Sequence, residues 1–206
     1  MNTRALTEYR NGLKLSVKQC EMLTGMLLGD AHLEQQSSRT ARLKIEHCIK
    51  QQDYVAWKYD VWKEWVLTPP QLKSKRNRLG SASINVWFNT ISHSELFEWH
   101  SRFYRDCWKM VPNDLVLTPL ALAVWFMDDG SRKSRECRGL YLNVQCYRRP
   151  EVEMLRACLK RDFELTTTTR QQADGLQIYF PSSEAPSFTE IVKPHLLESM
   201  MYKLSC

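Results

Sequence analysis

The sequence lacks long apolar runs and any regular cysteine pattern, and each absence excludes a class of protein. No apolar run approaches the ~18 residues that a membrane span requires, and residues 1–12 lack the basic-then-apolar layout of a signal peptide. The seven cysteines are odd in number and never spaced CxxC, and the five histidines show no paired ligand spacing. These patterns argue against a disulfide framework and a zinc site. We therefore expect no membrane partner, and an intracellular, reducing compartment.

Acidic residues are in the minority, and the imbalance is confined to one half of the chain. The net charge is +6 over 206 residues. Up to Met110 there are 17 lysines and arginines against 11 acidic residues, whereas the remainder has 12 of each. A basic half favours a polyanionic partner, but a charge of this size does not identify one.

Two apolar segments each run directly into an acidic residue. The first is LTGMLLGDAH at residues 23–32, and the second is LALAVWFMDDGS at residues 120–131. Ser16 and Thr118 are positioned to cap the two helices that these segments predict. Both helices are apolar on nearly every side, so we expect them at the centre of the protein, packed against each other. Gly25 and Gly29 would let the two backbones approach closely.

The same order of elements follows each of these helices. Alternation of apolar and polar residues predicts strands, and apolar residues that recur about every 3.6 positions predict helices. Two short strand patterns separated by a turn predict a hairpin. The predicted segments are strands at 42–48 and 139–146, helices at 52–66 and 150–163, hairpins at 72–90 and 166–180, and closing helices at 93–104 and 187–201. The sequence therefore predicts an α+β protein with the order αββαββα twice, divided into residues 1–111 and 112–206.

The acids at the ends of the two apolar helices, Asp30 and Asp129, are the candidate reactive groups. Helices that cross at the centre of the protein would bring these carboxylates side by side. Helix C-termini present unpaired carbonyls and the negative end of the dipole, so both features favour a cation. Oxygen ligands with open positions suit Mg²⁺, and paired metals can clamp the attacking and leaving oxygens of a phosphodiester.

These motifs resemble the paired signature of the LAGLIDADG homing endonucleases. The chain carries LTGMLLGDA in its first half and LAVWFMDDG in its second. The segments WVLTPPQLKSKRNRLG and VKPHLLESMMYKL complete a resemblance to the single-chain, intron-encoded meganucleases of the I-SceI type. The resemblance implies two pseudo-symmetric αββαββα halves in one chain, with antiparallel sheets that form a saddle over double-stranded DNA. It also implies a monomeric enzyme.

The resemblance assigns metal ligands to the ends of the two motif helices. It implies that Asp30 and Asp129 bind Mg²⁺, for which we expect Mn²⁺ to substitute. It further implies that the backbone carbonyls of Gly29 and Asp128, one residue earlier, assist in binding the metal.

Members of this family also carry a basic residue beyond the last helix of each repeat. The matching positions here are Lys109 and Lys203. A fixed ammonium would assist deprotonation of the attacking water and stabilise the negative charge of the transition state. His47 and Gln145 each precede a matching cysteine at a strand end, and the resemblance implies that they hold water or a metal-bound group.

Basic and amide side chains on the two predicted hairpins, and in the segment directly after Asp129, are the candidate DNA contacts. They are Lys73, Lys75, Arg76 and Arg78 in the first half, and Arg132, Lys133, Arg170 and Gln172 in the second. On a sheet laid over DNA, arginine suits guanine edges in the major groove and lysine suits phosphates. Strand register decides which of these side chains face the DNA, because a slip of one residue reverses every assignment.

Three functions fit these observations. The first is a site-specific, metal-dependent endonuclease that makes a staggered double-strand break in a long asymmetric DNA target. The second is an RNA maturase that helps its host intron to fold; both acids are present, which favours cleavage and leaves a dual role open. The third, a DNA-bending protein, needs no acids. An intein origin is disfavoured because no splicing-type His–Asn pair ends the chain. As the compartment of the protein, an organelle and a bacterial cytoplasm fit the sequence equally well.

Overall fold

Both repeats are present in the computed structural model, which describes residues 3–76, 82–106 and 108–204. An N-terminal helix, α1 (Thr3–Gly12), precedes them. The first repeat comprises α2 (Val17–Leu28), β1 (His32–Ser37), β2 (Thr40–Cys48), α3 (Gln52–Trp62), β3 (Gln71–Arg76), β4 (Ala82–Asn89) and α4 (Ser94–Phe103). A short ribbon follows, formed by β5 (Tyr104–Arg105) and β6 (Trp108–Lys109). The second repeat comprises α5 (Pro119–Asp129), β7 (Gly130–Arg132), β8 (Leu140–Asn143), α6 (Arg149–Phe163), β9 (Thr168–Gln172), β10 (Gly175–Phe180) and α7 (Ala185–Val192).

The predicted order αββαββα therefore occurs twice, and each set of four strands forms one antiparallel sheet. The strand orders are β1-β2-β4-β3 and β7-β8-β10-β9, which are equivalent in the two repeats. Ile45 lies opposite Phe88 in the first sheet, and Leu142 lies opposite Ile178 in the second; all four are buried. One face of each sheet is thus apolar and covered, and the other is polar. The predicted α+β class with two similar halves is confirmed.

Both predicted helix caps are present. The Gln19 amide N–H donates to Ser16 Oγ at 3.2 Å, and the Ser16 N–H donates to Gln19 Oε1 at 2.9 Å, which together form a capping box for α2. The Ala121 N–H donates to Thr118 Oγ1 at 3.2 Å at the start of α5. Local side-chain chemistry therefore fixes where each motif helix begins.

The closing helix predicted at 187–201 is interrupted. α7 ends at Val192, and two 3₁₀ segments, Lys193–His195 and Glu198–Lys203, replace its second half. Pro194 explains the break, because proline donates no backbone hydrogen bond and its ring clashes with the preceding helical turn. The shorter helix turns the chain so that Lys203 returns to the end of α5, as described below.

The chain divides into two compact units that do not coincide with the repeats. One comprises Met1–Cys20 and Asp30–Ser101, and the other comprises Glu21–Gly29 and Arg102–Cys206. Most of α2 thus packs in the second unit. The boundary predicted between residues 111 and 112 separates the two sequence repeats, which is a different division from the two compact units, and it stays a prediction.

The two motif helices pack directly against each other in the second unit. Residues 22–29 and 121–128 are all buried. A Cβ added to Gly25 would lie 2.3 Å from the Ala121 carbonyl oxygen and 2.7 Å from Val124 Cβ, so glycine is required at this crossing. The helix end carrying Gly29 and the helix end carrying Asp128 are consequently brought together. Within the described residues, no helix has the length and apolar character of a bilayer-spanning segment.

Candidate functional site

The ends of the motif helices converge on a site that accepts no extra side chain. A Cβ on Gly29 would lie 2.5 Å from Asp128 Cβ and 2.6 Å from Asp128 Oδ2. Asp128 is 9% exposed, and Asp129, the last residue of α5, is half-buried. Asp30, which directly follows Gly29, is exposed. Position 29 therefore requires glycine, because any larger residue would displace the Asp128 carboxylate that packs against it.

The two predicted lysines make equivalent contacts in the two repeats. Lys109 Nζ donates to the Gly29 carbonyl oxygen at 2.6 Å. Lys203 Nζ donates to the Asp128 carbonyl oxygen at 3.0 Å and to that of Met127 at 2.5 Å. Each ammonium thus binds the carbonyl that immediately precedes the motif acid of its own repeat. Such carbonyls lack a partner inside the helix, and the helix dipole adds negative potential there.

This donor set fits a hard divalent cation. Each motif end offers a carboxylate, Asp30 or Asp129, and the neighbouring carbonyl of Gly29 or Asp128 already accepts a cationic donor. Carboxylate and carbonyl oxygens are the ligands that Mg²⁺ takes in proteins. The predicted ligands therefore have suitable chemistry, although their roles as ligands stay predictions.

A buried pair of basic side chains lies beside Asp30 in the first unit. His47 Nδ1 is 3.8 Å from Asp30 Oδ2, and His47 Nε2 is 2.9 Å from Lys58 Nζ. Because an ammonium can only donate, Nε2 accepts, and the proton of a neutral His47 ring resides on Nδ1, on the side of Asp30. Lys58 is completely buried, with its ammonium 4.0 Å from the centre of the Tyr54 ring. Lys58 thereby fixes the orientation and tautomer of His47.

Sequence reasoning identified His47 and missed Lys58. A signal for Lys58 was present, because it lies four residues from Tyr54 and four from Trp62, on the apolar stripe of α3. A charged residue on such a stripe is rarely buried without a partner. The partner, His47, lies on a different element, so the pairing could not be read from local pattern.

In the second unit, a cavity of about 390 Å³ is lined by Lys109, Gln145 and Tyr147 among others. Burial raises the pKa of the Cys146 thiol at its edge; Lys109 acts to lower this pKa and Asp129 acts to raise it. The predicted Gln145 therefore lies in the same cavity as Lys109, close to the motif acid. Burial also raises the pKa of Tyr147 well above its usual value, so its hydroxyl stays protonated and donates to the end of α2.

The polar face of the first sheet carries a set of ion pairs. Arg42 Nη2 lies 2.6 Å from Glu34 Oε2, and Lys44 Nζ lies 3.5 Å from Glu34 Oε1. Lys73 Nζ lies 3.6 Å from Glu46 Oε2 on the same face. Sequence reasoning missed Arg42 and Lys44, although they alternate with buried residues along β2. Glu34 does not make this face acidic, because both cations neutralise it.

The remaining predicted contacts of the first hairpin are only partly described. The register pairs Lys75 with Ser83 and Arg76 with Ala82. The side chains of Lys75 and Arg76 lie outside the described part of the chain, and Arg78 lies wholly outside the described residues. Their contacts with DNA stay predictions.

The second sheet presents Arg170 and Gln172 on its polar face. Arg170 Nη1 donates to the Tyr141 hydroxyl at 2.7 Å, and Lys133 Nζ lies 5.2 Å from the centre of the Tyr179 ring. Arg132 is paired with the buried Leu140 and so lies on the opposite face of the sheet from Arg170; its contact with DNA stays a prediction. Side chains alternate between the two faces along a strand, so the face on which Arg132 lies depends on the register, which the sequence does not specify.

A family model, two relatives and one solved structure relate this arrangement to known proteins. The LAGLIDADG DNA endonuclease family model matches residues 20–188. A probable intron-encoded endonuclease of Wickerhamomyces canadensis is 29% identical over 98% of this chain and 91% of that protein. Cytochrome b mRNA maturase bI2 of Debaryomyces hansenii is 28% identical over 92% of this chain and 74% of that protein. The homing endonuclease I-WcaI bound to its DNA recognition sequence has a TM-score of 0.92 and 29% identity, covering 98% of this chain and 93% of that chain.

Proposed function

We propose, from the premise that this chain belongs to the LAGLIDADG DNA endonuclease family, that it is a site-specific endonuclease that cuts both strands of a long DNA target by metal-dependent hydrolysis. The observation that carries the proposal is the matched contact of Lys109 and Lys203 with the carbonyls before the two motif acids. Two equivalent sets of catalytic groups in one chain match the two scissile phosphates of a duplex. A monomer therefore suffices for a double-strand break.

Each repeat supplies the same groups for hydrolysis. Asp30 and Gly29 would hold a divalent cation in one repeat, and Asp129 and Asp128 would hold one in the other. Such a cation, when bound, would supply positive charge at the scissile phosphate and would lower the pKa of the attacking water. The ammonium groups of the two lysines are held by helix-end carbonyls, so they are preorganised to stabilise the charge that develops on the phosphate.

The target is asymmetric because the two polar faces differ. The first sheet offers the Arg42, Lys44 and Lys73 cations with two interspersed glutamates. The second offers Arg170 and a run of amides. Faces of such different chemistry would read different base sequences, with each repeat reading half of the target and cutting one strand.

Incubation with a randomised duplex library, in Mg²⁺, in Mn²⁺ and in EDTA, tests the proposal. Specific double-strand breaks are expected with either metal and none in EDTA. Asp30→Asn and Asp129→Asn should each leave one strand uncut, whereas Asp60→Asn, an exposed acid on α3, should cut both strands as the wild type does. Cuts that persist in EDTA or in the Asp30→Asn, Asp129→Asn double variant would overturn the proposal.

A second function is favoured by one comparison. The similarity to a cytochrome b mRNA maturase supports an additional role in the splicing of a host intron, and also supports an organelle as the compartment. A splicing assay with the host intron RNA tests this role. If the double variant of Asp30 and Asp129 still promotes splicing, the RNA function is separate from DNA cleavage.

A further inference from the structure

A chain of three side-chain amides crosses the polar face of the second sheet and ends at the backbone of Asp129. Gln172 Nε2 donates to Gln177 Oε1 at 3.0 Å. Gln177 Nε2 donates to Asn143 Oδ1 at 2.7 Å, and Asn143 Nδ2 donates to the Asp129 carbonyl oxygen at 2.8 Å. The three residues lie on three strands, β9, β10 and β8, so the chain links the edge of the sheet to the end of α5.

All three bonds run in one direction. Each amide donates with its nitrogen and accepts with its oxygen, so every bond polarises the next, and such chains are cooperative. The last acceptor is the carbonyl of Asp129, one of the final helix carbonyls that have no partner within the helix. Asn143 thus holds the backbone carbonyl of Asp129 at the point where α5 ends and β7 begins.

Gln177 retains the groups needed to read a base. Its side chain has two N–H donors and two oxygen lone pairs, and the chain uses one of each. One donor and one lone pair remain, which is the pair that glutamine presents to the N7 and N6 groups of adenine in the major groove. Gln177 lies on the same face as Arg170, its partner across the β9–β10 ladder.

We propose that Asn143 is a positioning residue for Asp129, and that Gln172, Gln177 and Asn143 couple recognition of an adenine to cleavage of one DNA strand. The inference rests on the proposed endonuclease function and deepens it. A correct base held by Gln177 strengthens the amide chain and so steadies the motif acid, whereas a wrong base weakens the chain at its centre.

The first repeat is built differently at the matching position. Gly130 pairs with Leu142, so Asn143 lies across from Asp129; His32 pairs with Lys44, and the same register places Glu46 across from Asp30. A glutamate carboxylate accepts hydrogen bonds and does not donate them; Glu46 Oε1 accepts from Asn85 Nδ2 at 2.7 Å and so cannot take the place of Asn143 in an amide chain. The coupling therefore belongs to the second repeat, and the two strands of the target should respond differently when it is broken.

Strand-resolved cleavage of the specific target tests the coupling. The two 5′ ends of the duplex carry different labels, and the strand that depends on the second repeat is defined as the one left uncut by Asp129→Asn. Asn143→Leu should slow cleavage of that strand by about 5–10-fold, the loss expected from one hydrogen bond of ~1–1.4 kcal/mol. The other strand should be cut at the wild-type rate, so nicked duplex accumulates, and the Kd for DNA measured in EDTA should stay within about twofold.

One further variant, a set of altered DNA targets and one control variant distinguish the coupling from a loss of folding. Gln177→Met breaks the chain one bond farther away and should also slow the same strand. Replacing each A·T pair of the target in turn should identify one position that slows this strand in the wild type and has no further effect in Asn143→Leu. Asn113→Leu makes the same substitution at an exposed amide in the segment before α5 and should behave as the wild type.

Several outcomes would overturn the coupling. Equal slowing of both strands by Asn143→Leu indicates a general structural role, and a weaker Kd with an unchanged rate at saturation indicates simple binding. A purely additive effect of the base-pair change and Asn143→Leu removes the link between recognition and cleavage. If wild-type protein cuts no DNA with Mg²⁺, the proposed function fails as well; if it cuts both strands and Asn143→Leu does so equally fast, only the coupling fails.

Discussion

Replacing Gly25 with alanine should destabilise the second unit by about 2 kcal/mol. The added Cβ would lie 2.3 Å from the Ala121 carbonyl oxygen and 2.7 Å from Val124 Cβ, far inside van der Waals contact. The nearer of these two atoms, the Ala121 carbonyl oxygen, belongs to the backbone and cannot rotate away, so one of the two buried helices must move. Overpacking of this kind costs ~1–3 kcal/mol, and we take the upper value because a helix must shift. Alanine's better helix propensity returns about 1 kcal/mol.

Thermal unfolding measures this cost directly. For a chain of this size, 1 kcal/mol corresponds to roughly 2–4 °C in Tm, so Gly25→Ala should lower the Tm by about 4–8 °C. Gly12→Ala, at the end of α1 where an added Cβ meets nothing within 4 Å, is the matched control and should not lower it. Adding Val124→Ala should not restore the Tm of Gly25→Ala, because the Ala121 carbonyl remains. An unchanged or higher Tm for Gly25→Ala would refute the close approach of the motif helices.

Three further predictions concern side chains around the candidate site. Lys203→Met should reduce cleavage of one strand by ~10²-fold, the size typical of one preorganised donor, in the strand-resolved assay, while DNA affinity changes little. Lys58→Met should lower the cleavage rate of the opposite strand by about tenfold, because His47 loses the donor that sets its tautomer; similar rates on both strands would contradict this. Glu34→Gln should release Arg42 for phosphate contact and steepen the salt dependence of DNA binding by about one unit. Hydrogen bonding from Arg42 lowers the pKa of Glu34, so its stabilising effect is present above pH 4.5 and is lost below it; wild-type and Glu34→Gln Tm values should therefore converge in acid.

Local sequence signals were sufficient to predict the helix starts, the sheets and the repeated order of elements. Ser16 and Thr118 predicted the starts of the motif helices, and both caps are present. The alternation of buried and polar residues predicted the sheets, and the repeated element order predicted two similar halves. These features depend on neighbours within a few residues, which is why a sequence pattern contains them. The broken closing helix was also readable, since Pro194 stands in the middle of it.

The resemblance to a family also predicted a basic residue beyond the last helix of each repeat. Lys109 and Lys203 were predicted from their place beyond the last helix of each repeat. The structure brings each to the carbonyl before a motif acid, 80 and 75 residues away along the chain. Spacing alone could indicate that the lysines are equivalent, but not which atom each one contacts.

Tertiary structure alone decided the remaining features. Lys58 contacts His47 because α3 packs on β2, Arg132 faces away from Arg170 because of strand register, and the amide chain to Asp129 crosses three strands. Periodicity within one element specifies which side chains share a face, since it depends on backbone geometry that repeats every two or 3.6 residues. Which face meets which neighbour depends on contacts between distant segments, and those contacts exist only once the chain has folded.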